Sequence, residues 1–143
     1  MANTIITIEI AGAIKTALAS VLPSGTTVYA TGIQDTVNAS EDKVKYPCAA
    51  ITVGECHPNQ YRSVLRSYPV RIEVATWYPE DKDQVDLYTM AHAANQWLAE
   101  PTLSLSLAHW DALTIDAPPE MPAIVDRTQM IAWNVTVLTR KAS

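Results

Sequence analysis

From Tyr68 onward the chain alternates. Tyr68, Val70, Ile72, Val74, Thr76 and Tyr78 share one face of an extended segment, and Arg71, Glu73, Ala75 and Trp77 share the other. Period-two patterning with β-branched residues on the apolar side predicts a half-buried strand. At about twelve residues it spans roughly 40 Å, twice the usual length, so one end is expected to project past the domain core. Pro79 ends it. Asp81 with Gln84 three residues on resembles a capping box. Glu80, Asp81, Asp83 and Asp86 put negative charge at the positive end of the helix that follows. Across residues 83–100, Leu87, Ala91, Ala94 and Leu98 recur at helical spacing, with Met90 and Trp97 widening the stripe.

Upstream, Ile6, Ile10, Ile14, Ala17, Leu18 and Val21 fall on one helical face, with Asn3 or Thr4 as the cap. TIITIEI also alternates like a strand, which leaves the start of this helix open. Pro23-Ser24-Gly25 stops it. Residues 27–31 read as a short strand. Residues 32–46 are polar and unpatterned, a length that suits either a surface loop or a docking loop. The small apolar run from Cys48 to Val53 suits a central strand. It is expected to continue to Cys56 and pair as an antiparallel hairpin with the long strand, with His57 to Gln60 as the turn. Residues 102–108 are rich in Leu and Ser and have no assigned structure. Residues 110–115 form a strand. The three prolines within residues 116–127 favour an extended arm or open loop. In the closing strand, residues 129–139, Ile131, Trp133, Val135 and Val137 share one face and Met130, Ala132, Asn134, Thr136 and Leu138 the other.

The order is helix, three strands, helix, two strands. It predicts a two-layer α+β fold: a mostly antiparallel sheet of about five strands with two main helices on one face. Residues 1–143 form one domain, without repeat or linker. The second sheet face then carries Arg71, Glu73, Asn134 and Thr136 beside Ala75, Trp77, Met130, Ala132 and Leu138. Such a half-apolar face suits either a wet surface with a few apolar strays or an interface; a Trp among apolar neighbours has the composition of an interface core, with Arg71 and Glu73 on its rim or paired with a neighbouring subunit. Asp35, Lys43 and Lys45 of the polar loop join Trp77, Arg71, Glu73 and Met130 as candidate contact residues.

Composition narrows the partners. A chain of 143 residues that is 48% hydrophobic can bury a real core. A net charge of −5 and a pI near 5.0 disfavour a protein that grips nucleic acid by its phosphates or lies on an anionic membrane. The N-terminus lacks a basic segment before an apolar run, so neither a signal peptide nor a membrane span is expected, and synthesis in a cytoplasm is. Cys48 and Cys56 lie eight residues apart in one expected strand, roughly 26 Å when extended, which predicts reduced thiols. Cys56-His57 has no CxxC or HxxxH partner, which makes a zinc site a poor expectation. His92 and His109 have no partner motif, and the acids around Asp83 are explained by the helix dipole. No nucleophile elbow, phosphate loop or dinucleotide fingerprint is present. The expectation is a protein that is not an enzyme, with no catalytic, metal or cofactor residues.

The layout resembles the tail terminator (tail completion) proteins of long-tailed bacteriophages, the lambda minor tail protein U-like family. It is carried by the N-terminal helix and by a short strand followed by a long polar loop. YPCAAITVG, the strand-to-helix junction SYPVRIEVATWYPED, the helix ending NQWLAE and the closing strand MIAWNVTVLTR continue it. The likeness is one of pattern over nearly the whole chain. It implies a virion structural protein of the tail or neck, made in the host cytoplasm. Such proteins form a ring, usually of six subunits, that caps the tail tube and stops its polymerisation. The ring presents a head–tail joining surface to the head-completion (connector) protein. The partners implied are other copies of the chain, the tail tube protein and the connector, with no cofactor and no membrane. DNA passes through the lumen without specific binding, and an acidic lining suits that passage. The alternatives are another phage neck or head–tail adaptor, a tail-tube protein, or a small α/β enzyme or ligand-binding module.

Overall fold

The computed structural model describes residues 2–30, 45–54, 57–58, 65–103, 105, 108–120 and 127–141. Helix α1 (Ala2–Val21) opens the chain. Asn3 and Thr4 therefore lie inside its first turn and do not cap it. Ile10, Ile14 and Leu18 are fully buried, and the next step of four brings Leu22 into the core while Val21 is exposed. The strands are β1 (Thr27–Tyr29), β2 (Cys48–Val53), β3 (His57–Pro58), β4 (Leu65–Trp77), β5 (Ala108–Ile115) and β6 (Thr128–Lys141). Helix α2 (Val85–Ala99) follows β4 after a single 3₁₀ turn, Tyr78–Glu80.

The sheet runs β1-β2-β4-β6-β5, with β3 paired to β4 off that path. β1 is parallel to β2, and the remaining pairs are antiparallel. This is a two-layer α+β fold. Tyr68, Val70, Ile72 and Val74 of β4 and Ile131, Trp133, Val135 and Val137 of β6 join the residues of both helices in one buried cluster. The cluster ends at Tyr68 and Val137, but the β4–β6 ladder continues through Ser67↔Leu138, Arg66↔Thr139 and Leu65↔Arg140. The long strand thus outruns its core at that end.

Several local expectations are corrected. His57 and Pro58 pair with Ser67 and Arg66 instead of forming a free turn. β2 stops at Val53 rather than running to Cys56, which lies outside the described residues. Where β2 ends, the Gly54 amide donates to the Pro69 carbonyl at 2.7 Å. Because that carbonyl points past the end of β2, so does the position where Pro69 lacks its N–H, and the β4–β6 ladder loses no bond. A Cβ on Gly54 would lie 2.8 Å from Pro69 Cγ, so the close approach requires glycine. β4 ends at Trp77, and Tyr78 is exposed on the 3₁₀ turn. β5 starts at Ala108, earlier than expected, and carries a register shift between Trp110 and Ala112. The proline segment leaves the ladder after Asp116, and Glu120 rejoins it through paired backbone bonds with Ala132 of 2.7 and 2.8 Å.

The capping box is also corrected. Gln84 is the N-cap of α2 in a left-handed conformation (φ 60°), with no side-chain capping bond. Asp81 caps from further back, its carboxylate accepting from the amides of Asp86 and Leu87, both at 3.0 Å. The Gln84 side-chain amide instead donates to Gln129 Oε1 at 3.1 Å. Gln129 in turn donates to the Asp81 carbonyl at 2.7 Å and to Thr76 Oγ1 at 3.0 Å. Gln129, Asp81 and Thr76 are all buried. This network fastens the strand-to-helix corner to the start of β6.

Candidate functional site

The sheet face away from the helices is built by parity. In register across β2, β4 and β6 lie Cys48–Ala75–Met130 and Ala50–Glu73–Ala132, with Arg71–Asn134 and Trp77–Thr128 to either side. Its centre is not open. Cys48, Ala50, Ala75 and Ala132 are fully buried, and Tyr29, Tyr46 and Met130 pack on the first three. Small side chains here leave room for the chain's own larger residues to pack on the sheet.

The predicted contact residues divide accordingly. Trp77 is half-buried at the edge of this face, its ring 5.8 Å from that of Tyr46 at 35°. Tyr46 is held by a 2.8 Å hydrogen bond between its hydroxyl and that of Thr128. Burial pushes the Tyr46 phenol above its usual pKa, against the lowering effect of that bond. Met130 is half-buried against Cys48, Ala50 and Ala75. Lys45 is exposed, and its amide donates to the Tyr29 hydroxyl at 3.1 Å. Asp35 and Lys43 lie outside the described residues, as does all of the polar loop before Lys45.

Arg71 and Glu73 depart from the rim expected for them. Glu73 is only 8% exposed. Arg71 Nε lies 3.8 Å from its carboxylate, and Arg71 Nη1 lies 3.1 Å from Glu120 Oε2 and 3.5 Å from Asn134 Oδ1. These charges are thus engaged within the subunit. One arginine ties the returning proline segment to the sheet.

Among the described residues, chemically reactive groups do not converge on this face. Cys48 is a free, fully buried thiol; burial first, and the Glu73 carboxylate second, push its pKa up to about 12. That is the opposite of nucleophile activation. His92 is exposed on α2. Among the described residues no group of three His, Cys, Asp or Glu could hold a metal ion. No helix there is long and apolar enough to cross a membrane.

A feature that sequence reasoning missed lies on the helix side. A groove of about 250 Å³ opens between α2 (Tyr88, Ala91, Asn95) and Pro119–Glu120, over Ile131 and Trp133 of β6. Asn95 is fixed there, its Oδ1 accepting from Trp133 Nε1 at 2.8 Å.

What the described residues define is a two-layer α+β fold with an aromatic edge on one sheet face and a groove on the other. The chain matches no protein-family model and no curated protein sequence.

Proposed function

We propose that this chain is a phage tail terminator: a structural subunit that assembles into a ring, probed most simply as a hexamer. The ring caps the tail tube, stops its growth and offers the joining surface to the head connector. The observation that carries the reading is the half-exposed Trp77–Tyr46 pair at the end of a long ladder, beside a sheet face already filled by small residues. A rigid aromatic pair held by strand pairing and a hydroxyl bond is suited to seat on a protein partner at small entropic cost. The layout of the elements around the strand-to-helix corner supports the same reading, because it is the order by which the chain resembles that family. Location in the virion neck belongs to this proposal.

Length arrest is the direct test. Purified protein added to polymerising tail tubes should stop them at a set length, which a tube protein or neck adaptor does not do. Trp77→Asp should abolish arrest while circular dichroism stays that of the wild type, because a carboxylate would have to be desolvated against the tube. Arrest by the variant at wild-type concentration would remove Trp77 from the docking surface, and tubes growing past the wild-type protein would overturn the terminator reading.

A further inference from the structure

After β5 the chain stays close to the sheet. The Asp116 amide donates to the Asn134 carbonyl at 2.9 Å, and Glu120 pairs with Ala132 through bonds of 2.7 and 2.8 Å. Between these points Pro118 and Pro119 have no N–H to give to β6. Residues 116–120 are all exposed, and none belongs to the buried core. The segment is a strap laid along β6 and fixed at its two ends. Side chains lock both ends. The Asp116 carboxylate accepts from the Thr136 hydroxyl at 2.8 and 3.1 Å, and Glu120 Oε2 lies 3.1 Å from Arg71 Nη1.

Glu120 belongs to both faces of the sheet. With Pro119 it walls the groove over Ile131 and Trp133, while its carboxylate meets Arg71 on the face that carries Trp77. Arg71 has other partners there. Its Nε is 3.8 Å from the carboxylate of the buried Glu73, and its Nη1 is 3.5 Å from Asn134 Oδ1. Letting go of Glu120 therefore leaves the arginine paired and returns an exposed carboxylate to water, so no buried charge is stranded. The flanks hold without the strap. Ile115 is paired with Val135, and the Arg127 carbonyl accepts from the Tyr78 amide at 2.7 Å.

We propose that residues 116–120 are a releasable strap and that Arg71 is its latch. The strap lifts from β6 as a unit while the helices and the β4–β6 ladder stay folded. Lifting opens the groove beside α2 and bares the edge of β6 at Ala132. Few buried apolar contacts and solvent-exposed backbone bonds mark the part of a folded chain that opens first. Because latch and groove wall meet in one residue, whatever draws Arg71 away on one face opens the groove on the other. This inference rests on these contacts and is independent of the terminator reading.

Amide hydrogen exchange, read residue by residue, tests it. The Ala132 amide donates to Glu120 and is protected by the strap. The Ile131 and Trp133 amides alternate to the β4 side and are protected by the ladder. In the wild type Ala132 should exchange about a hundredfold faster than these two neighbours, after correction for intrinsic rates. Its opening should be nearly insensitive to low urea, because lifting the strap exposes little surface. Glu120→Gln should speed Ala132 a further two- to fivefold, about the worth of an exposed ion pair, and leave Ile131 and Trp133 unchanged. Asp116→Ala frees the other end and should act on Ala132 in the same direction. Exchange of Ala132 at the rate and urea dependence of its neighbours makes the strap a fixed part of the sheet and overturns the proposal. So does a Glu120→Gln variant that speeds all three amides alike or leaves Ala132 at the wild-type rate.

Discussion

Removing the Asp81 carboxylate should destabilise the subunit far more than removing any other acid at the same helix end. Its two oxygens accept from the Asp86 and Leu87 amides at 3.0 Å each, and the residue is buried. Loss of a helix cap costs about 1 kcal/mol, within a range of roughly 0.5–2. The Leu87 bond is buried, so Asp81→Ala also strands an amide, at a further cost of about 1–3 kcal/mol. The sum is about 2–4 kcal/mol. With an unfolding entropy near 2.1 cal/mol/K per residue, that corresponds to a fall in Tm of roughly 7–13 °C for a chain of this size. Asp83→Ala and Asp86→Ala remove exposed charges from the same dipole and should each cost no more than about 1 kcal/mol. Asp81→Asn keeps one acceptor oxygen and should fall between. Urea titration followed by tryptophan fluorescence and circular dichroism gives the ordering, with an unchanged slope showing that the unfolded state is the same. If Asp81→Ala lies within 0.5 kcal/mol of wild type, or if all three alanine variants cost alike, the acids act only through the dipole and the two bonds from the Asp81 carboxylate to the Asp86 and Leu87 amides carry no weight.

Gly54→Ala should cost about 1–3 kcal/mol in the same titration, because its Cβ would lie 2.8 Å from Pro69 Cγ and 3.4 Å from the Pro69 carbonyl oxygen; a neutral substitution would mean that β4 yields there freely. Cys48 should resist alkylation in the folded protein at pH 8, since it is buried and its pKa is raised from 9.0 to about 12; labelling as fast as in urea would contradict its burial. The same shift has a signature in stability: between about pH 9 and 12 the unfolded chain releases the proton that the folded one keeps. Stability should therefore fall with rising pH across that window, and Cys48→Ala should flatten the slope relative to wild type.

Much of the fold follows from periodicity because a sheet covered on one side demands it. A one-residue slip in β4 or β6 would exchange the buried set headed by Ile72 and Trp133 for the set headed by Arg71 and Asn134, so parity alone assigns the helix face. Local rules failed where a distant partner outbid a near one. Gln84 sits at capping-box spacing from Asp81, but the buried Gln129, 45 residues on, offers its side chain an acceptor, and Asp81 reaches past it to deeper amides. His57-Pro58 has turn composition, but the long β4 exposes an edge beyond the end of β2, and two residues are enough to pair with it.

The site was legible in one respect and hidden in another, and the difference is physical. Parity tells which side of a sheet Trp77 occupies; it does not tell whether the chain returns to cover that side. The small residues were the clue: a row of Cys48, Ala50, Ala75 and Ala132 leaves a shallow trough, and such a trough is stable only when large side chains fill it. Tyr29, Tyr46 and Met130 pack there from within the chain, which leaves Trp77 half-buried beside Tyr46 at the edge of that face. The groove beside α2 has no comparable signal, because Pro119 and Ile131 come from segments separated by the returning arm, and Tyr88 reads as an ordinary surface residue on its helix.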